Sequence, residues 1–79
     1  MPTMYIKGYE VEISGEPLIG GDTWGAYVSI YSSSKNPIDS RNIYPKTRVA
    51  EFRIFLSKEA AVQDARKAGV ALVKRLSSD

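Results

Sequence analysis

The sequence predicts a small α+β domain: a three-stranded antiparallel sheet in β-β-β-α order, with one C-terminal helix packed on one face. Two observations carry this reading. Residues 5–13, 24–31 and 49–56 alternate apolar and polar side chains with the period of a strand. The last third of the chain instead places apolar residues every three to four positions, the period of a helix. The 79 residues suit a single domain covering 1–79, with an ordered core expected over about 5–76.

In the first segment Tyr9, Val11 and Ile13 share one face, and Glu10 and Glu12 the other. The following SGEPLIGGD stretch holds Pro17 and the Gly20-Gly21 pair and reads as a connection that turns sharply. In the second segment Trp24, Ala26, Val28 and Ile30 point inward, while Gly25, Tyr27, Ser29 and Tyr31 point outward. Its aromatic and β-branched content favours a strand. The polar stretch 32–48 contains Pro37 and Pro45 and reads as a long loop, crossed by a short extended piece near Asn42–Tyr44. The third segment places Ala50, Phe52, Ile54 and Leu56 inward and Glu51, Arg53 and Phe55 outward.

Ser57 stands where an N-cap belongs, and Glu59 falls in the first helical turn, where a carboxylate complements the helix dipole. The helix is expected from Lys58 to about Leu76. Val62, Ala65, Gly69, Leu72 and Leu76 form its inner stripe, flanked by Ala61, Ala68 and Val73. Small residues on that stripe would let the helix lie close to the sheet. The predicted core is this stripe together with Tyr9, Val11, Ile13, Trp24, Ala26, Val28, Ile30, Phe52, Ile54 and Leu56.

Composition removes whole classes of chemistry. The chain has 11 Lys and Arg, 9 Asp and Glu, no His and no Cys. Disulfides, thiol nucleophiles, zinc fingers and Ser-His-Asp arrangements are therefore out of reach. Glu10 and Glu12 share a strand face, but nothing apolar is placed to raise one carboxyl above the other as an acid–base pair requires. Gly20-Gly21 lacks the Lys-Ser/Thr of a phosphate loop. No catalytic residue, cofactor or metal is expected, and the chain reads as a non-enzyme. The N-terminal MPTMYIKGYEVEI has no basic stretch before an apolar run, Met4 could serve as a second start, and no apolar run nears the ~18 residues of a membrane span. The expected compartment is the cytoplasm, with no membrane partner.

Charge is distributed unevenly. Residues 1–31 carry Lys7 alone against Glu10, Glu12, Glu16 and Asp22, whereas 32–56 are basic. Two candidate surfaces follow. Tyr27, Tyr31 and Phe55 fall on the sheet face that one helix leaves open, and form a candidate protein interface for an unidentified protein or a second copy. The same rings beside Arg53 would also stack single-stranded bases, although Glu10, Glu12 and Glu51 would repel phosphate there, and the plain alternative is a solvated face of good strand formers. The second surface is a candidate nucleic-acid contact made of Lys35, Arg41, Lys46, Arg48, Arg53 and Lys58. The helix segment ARKAGVALVKRL is cationic and amphipathic, but its apolar side is needed to cover the sheet.

The pattern GYEVEI…TWGAYVSI…EFRIFLSKEAAVQDARKAGVALVKRL resembles small bacterial β-β-β-α domains of unknown function, with Trp24, Ala26, Phe52, Glu59 and Ala60 as its markers. That resemblance implies a fold and a bacterial setting, and no activity. FLSKEAAVQDARKAGVALVKRL is in turn similar to the last strand and helix of the double-stranded-RNA-binding domain, through Ser57, Lys58, Ala60, Ala68, Ala71 and Leu72. It departs from that pattern at Glu59, in lacking a first helix, and in having no His for the minor-groove loop. Only Lys58 would carry over as a binding residue. The functional expectation is a non-enzymatic interaction module that binds protein or itself, with nucleic-acid binding through the basic loop and open face as the alternative.

Overall fold

The computed structural model describes residues 3–32 and 41–77, with the backbone alone at 41 and 77. The fold is α+β, with one C-terminal helix on an antiparallel sheet, but the sheet has four strands rather than three. Strands β1 (Thr3–Ile6), β2 (Tyr9–Pro17), β3 (Trp24–Ser32) and β4 (Arg41–Val49) lie side by side in chain order, and α1 (Lys58–Ser77) packs on β2 and β3.

Two of the three predicted strands need correction. The 5–13 segment is not one strand but the bend of a hairpin. Lys7 and Gly8 both take positive φ, 49° and 83°. This is the two-residue turn whose twist matches antiparallel strands, and Gly at its second position carries no Cβ penalty. Ile6 then lies opposite Tyr9, which places both on one face although one is even-numbered and the other odd.

The predicted strand 49–56 is mostly a turn. Val49 ends β4 opposite Ala26. Ala50 then adopts φ 53°, and the Arg53 amide donates to the Ala50 carbonyl at 2.9 Å. Phe55 alone resumes the ladder. Its amide and carbonyl exchange hydrogen bonds with Trp24 at 3.3 and 2.8 Å. Directly opposed residues project to the same face, so Phe55 joins Trp24 on the helix side and is buried. Of the inward set predicted here Ala50 does pack against the core, but Phe52, Ile54 and Leu56 are 100%, 66% and 84% exposed.

The fourth strand lies in the predicted loop and extends well beyond Asn42–Tyr44. It tolerates Pro45 because it is an edge strand and because the register slips twice, between Val28 and Ile30 and again before Tyr31. Bulges and an edge position spare proline a ladder hydrogen bond.

The core lies between sheet and helix. Val11, Ile13, Ala26, Val28 and Ile30 from β2 and β3 meet Phe55, Ala61, Ala65 and Val73, with Trp24, Tyr9 and Tyr44 packed around them. The buried helix residues are Ala61, Ala65, Gly69 and Val73, a strict i, i+4 row. The predicted stripe shares Ala65 and Gly69 with this row, while Leu76 is 43% exposed. The smallest side chains win the inner positions because the helix comes very near. A Cβ on Gly69 would lie 2.9 Å from Val11 Cγ1, and one on Gly15 2.9 Å from the Lys58 carbonyl oxygen. Ser57 caps the helix as expected, its hydroxyl oxygen accepting from the Ala60 amide at 3.1 Å.

Candidate functional site

One helix covers one face of the four-stranded sheet, and among the described residues the other face has no covering element. Alternation and register place its side chains in transverse rows. Tyr5, Glu10, Tyr31 and Asn42 form one row across all four strands. Thr3, Glu12 and Ser29 form the next, then Ser14, Tyr27 and Arg48. Glu16 and Gly25 end the face, with Leu18 folded over Gly25 from the β2–β3 connection.

Local chemistry ties these rows together. The Tyr5 hydroxyl donates to Glu10 Oε1 at 3.1 Å, and this bond to a carboxylate holds the Tyr5 pKa above its ordinary value. Ser29 is the one buried polar side chain among the described residues. Its Oγ reaches the Tyr44 carbonyl at 3.2 Å and accepts from Asn42 Nδ2 at 3.0 Å, so the bulged part of β4 satisfies it. Lys46 forms an ion pair with Glu16 and lies over the Tyr27 ring, 5.6 Å from its centre. The hydrogen bond from Lys46 is the main reason the Glu16 carboxyl is held below its usual pKa, with Ser14 Oγ adding a second donor at 3.1 Å. Arg48 lies over Gly25, and its Nε is buried without an acceptor.

The face is split by charge. β2 contributes Glu10, Glu12 and Glu16, β4 contributes Lys46 and Arg48, and the tyrosines and Ser29 of β3 run between them. Of the predicted interface trio, Tyr27 and Tyr31 are here and half-buried. Phe55 is not: it is 6% exposed, on the opposite side, with the Arg53 guanidinium 5.3 Å from its ring centre.

The predicted nucleic-acid contacts are likewise divided between faces. Lys46 and Arg48 are on the uncovered side. Arg53 is bonded to Asp64 of the helix at 2.9 Å, and Lys58 sits at the helix start against Gly15. Lys35 and the Arg41 side chain lie outside the described residues. Sequence reasoning missed Tyr5, whose face depends on the Lys7-Gly8 turn, and the exposure of Phe52, Ile54 and Leu56. The break in phase between Ile6 and Tyr9 was the available signal for the first.

Among the described residues one concavity is small and another is open. The depression lined by Glu12, Ser14, Tyr27, Ser29 and Lys46 has a volume of about 20 Å³, roughly room for one water. A wider hollow of about 390 Å³ is bounded only by Lys58, Glu59, Val62, Gln63 and Arg66, all from one helix, and has no second wall. Among the described residues no group of acidic side chains gathers as a metal site, and no helix is long and apolar enough to cross a membrane. Comparison with protein-family models, curated proteins and solved structures found no match for this chain.

Proposed function

We propose that this chain is a non-enzymatic interaction module that binds protein through the uncovered face of its sheet. The observation that carries the reading is the unshared face itself: three tyrosines set among charges, with no element of the described residues laid over them. Tyrosine is favoured at such surfaces because it offers a large, stiff apolar body with a polar tip. The end of the face nearest Gly25 adds apolar surface. The alternation that turns Phe55 inward turns Ile54 and Leu56 outward, and Phe52 and Ile19 are fully exposed.

The same geometry weighs against a nucleic-acid surface. Lys46 is already engaged by Glu16, Arg53 by Asp64, and three glutamates stand on the strand two positions from β4. Phosphate would meet repulsion across half of the face.

An amide-shift titration of labelled protein with a short RNA duplex and with a mixed single strand, each at low and high salt, tests this. The reading predicts no shifts on β2–β4 that grow with nucleic acid and fade with salt. Saturable, salt-sensitive shifts at Lys46, Arg48, Tyr27 and Tyr31 would replace it with nucleic-acid binding.

A further inference from the structure

We infer that the partner of the uncovered face is a second copy of this chain, docked face to face so that β2 of each copy lies over β4 of the other. This rests on the interaction reading above and specifies its occupant.

Charge carries the assignment. Acidic β2 and basic β4 flank β3 on either side. A two-fold axis lying in the interface and parallel to β3 exchanges left and right, so it superposes the glutamates of one copy on the cations of the other. A symmetric dimer requires such self-complementarity, and this face has it. Two groups are positioned to use it. Among the described residues neither Glu12 nor Arg48 has an ion-pair partner. The axis brings Glu12 of each copy toward Arg48 of the other, one row apart along the strands.

Area sets the strength. Three nine-residue strands and one of four, at about 3.3 Å per residue and 4.8 Å between strands, present roughly 500 Å² per copy and about 1,000 Å² together. That is the lower bound for specific association, where weak and transient contacts are found, so the concentrations to search run from roughly 10–100 μM upward.

Charge reversal in a symmetric interface gives a distinctive pattern. Glu12→Lys alone makes both symmetry-related contacts repulsive, and so does Arg48→Glu alone. Each should weaken self-association about tenfold. Mixing the two variants pairs the new Lys with the new Glu and leaves the native pair in the other contact. Sedimentation equilibrium should therefore recover a heterodimer near wild-type affinity from two weakly associating variants. Circular dichroism melts check that each variant is folded, and Lys46→Glu replaces Arg48→Glu as the β4 variant if the half-buried arginine is needed for stability.

A wild type that stays monomeric well above that concentration range overturns the second-copy assignment, while the nucleic-acid titration judges the broader reading separately. A dimer unaffected by either reversal overturns the β2-on-β4 arrangement. So does a dimer lost instead on Phe52→Ser with Leu56→Ser, because the contact would then be the apolar end of the molecule.

Discussion

The two faces of this sheet are written by the same strands and built for different ends. In β3, Ile30 is fully buried beneath the helix, and its neighbour Tyr31 stands half-open on the far side. Under the helix the packing is predominantly apolar and close, down to glycines where a methyl group would collide. On the far face the contacts are paired charges, tyrosine hydroxyls and a water-sized dimple. One face is where folding free energy concentrates; the other is held in shape by that face and remains available. A domain of this size buries only about 60% of its unfolded surface, so it has little stability to spare for a second packed layer.

Substitutions in adjacent positions should separate the two roles most sharply. Ile30→Ala is expected to destabilise by roughly 2–5 kcal/mol in urea unfolding, enough to unfold much of a marginal domain. Tyr31→Ala one residue along should cost under about 1 kcal/mol, the range of a cross-strand pair. Equal losses at both positions would mean that the far face also belongs to the core.

Gly69→Val probes how closely the helix is seated. The Cβ alone would sit 2.9 Å from Val11 Cγ1, so the helix must shift away from β2. A loss of about 1–3 kcal/mol is expected despite the better helix propensity of valine over glycine. A neutral result would show that the helix slides freely over the sheet. Removing the helix cap by Ser57→Ala should cost about 1 kcal/mol through the unpaired Ala60 amide.

The smallest expected effect lies on the open face. Lys46 holds the Glu16 carboxyl below its ordinary pKa. A depressed folded-state pKa stabilises the fold above the unfolded carboxylate pKa, and that contribution is lost as pH falls through the folded value. Both side chains are well exposed, so it should stay under about 1 kcal/mol. Carboxyl-detected NMR should place the Glu16 midpoint higher in Lys46→Ala, and an unmoved midpoint would show that the ion pair does not persist in solution.

The faces of β2 and β3 were legible because unbroken alternation over 9–13 and 24–31 leaves one way to bury Val11, Ile13, Val28 and Ile30 together. The helix was legible from its cap and its period, although its inner row is Ala61, Ala65, Gly69 and Val73 rather than one that includes Val62 and Leu72. Hydrophobic size predicts burial poorly where closeness of approach decides. The errors cluster in 41–56. There β4 carries Pro45 and little apolar alternation, because its ladder is bulged and its outer edge open. The 49–56 run alternates well, yet it holds no Gly or Pro to announce the turn, and Ala50 takes the positive φ itself. A single pairing, Phe55 with Trp24, turns Phe55 inward and its neighbours Ile54 and Leu56 outward. Phe55 thus moves from the candidate interface into the core, while Phe52, Ile54 and Leu56 stand at the surface.

The central claim is that the far face is occupied by a partner in solution while the helix-covered face is closed by the fold alone. Relaxation of ring and methyl protons by a neutral soluble gadolinium chelate, recorded at low and at high protein concentration, reads this directly. Ring protons of Tyr27 and Tyr31 should be strongly relaxed in dilute protein and shielded in concentrated protein, with Val28 and Ile30 methyl groups shielded throughout. Tyrosine rings equally relaxed at both concentrations, with shielding gained at Phe52 and Leu56 instead, would contradict the account.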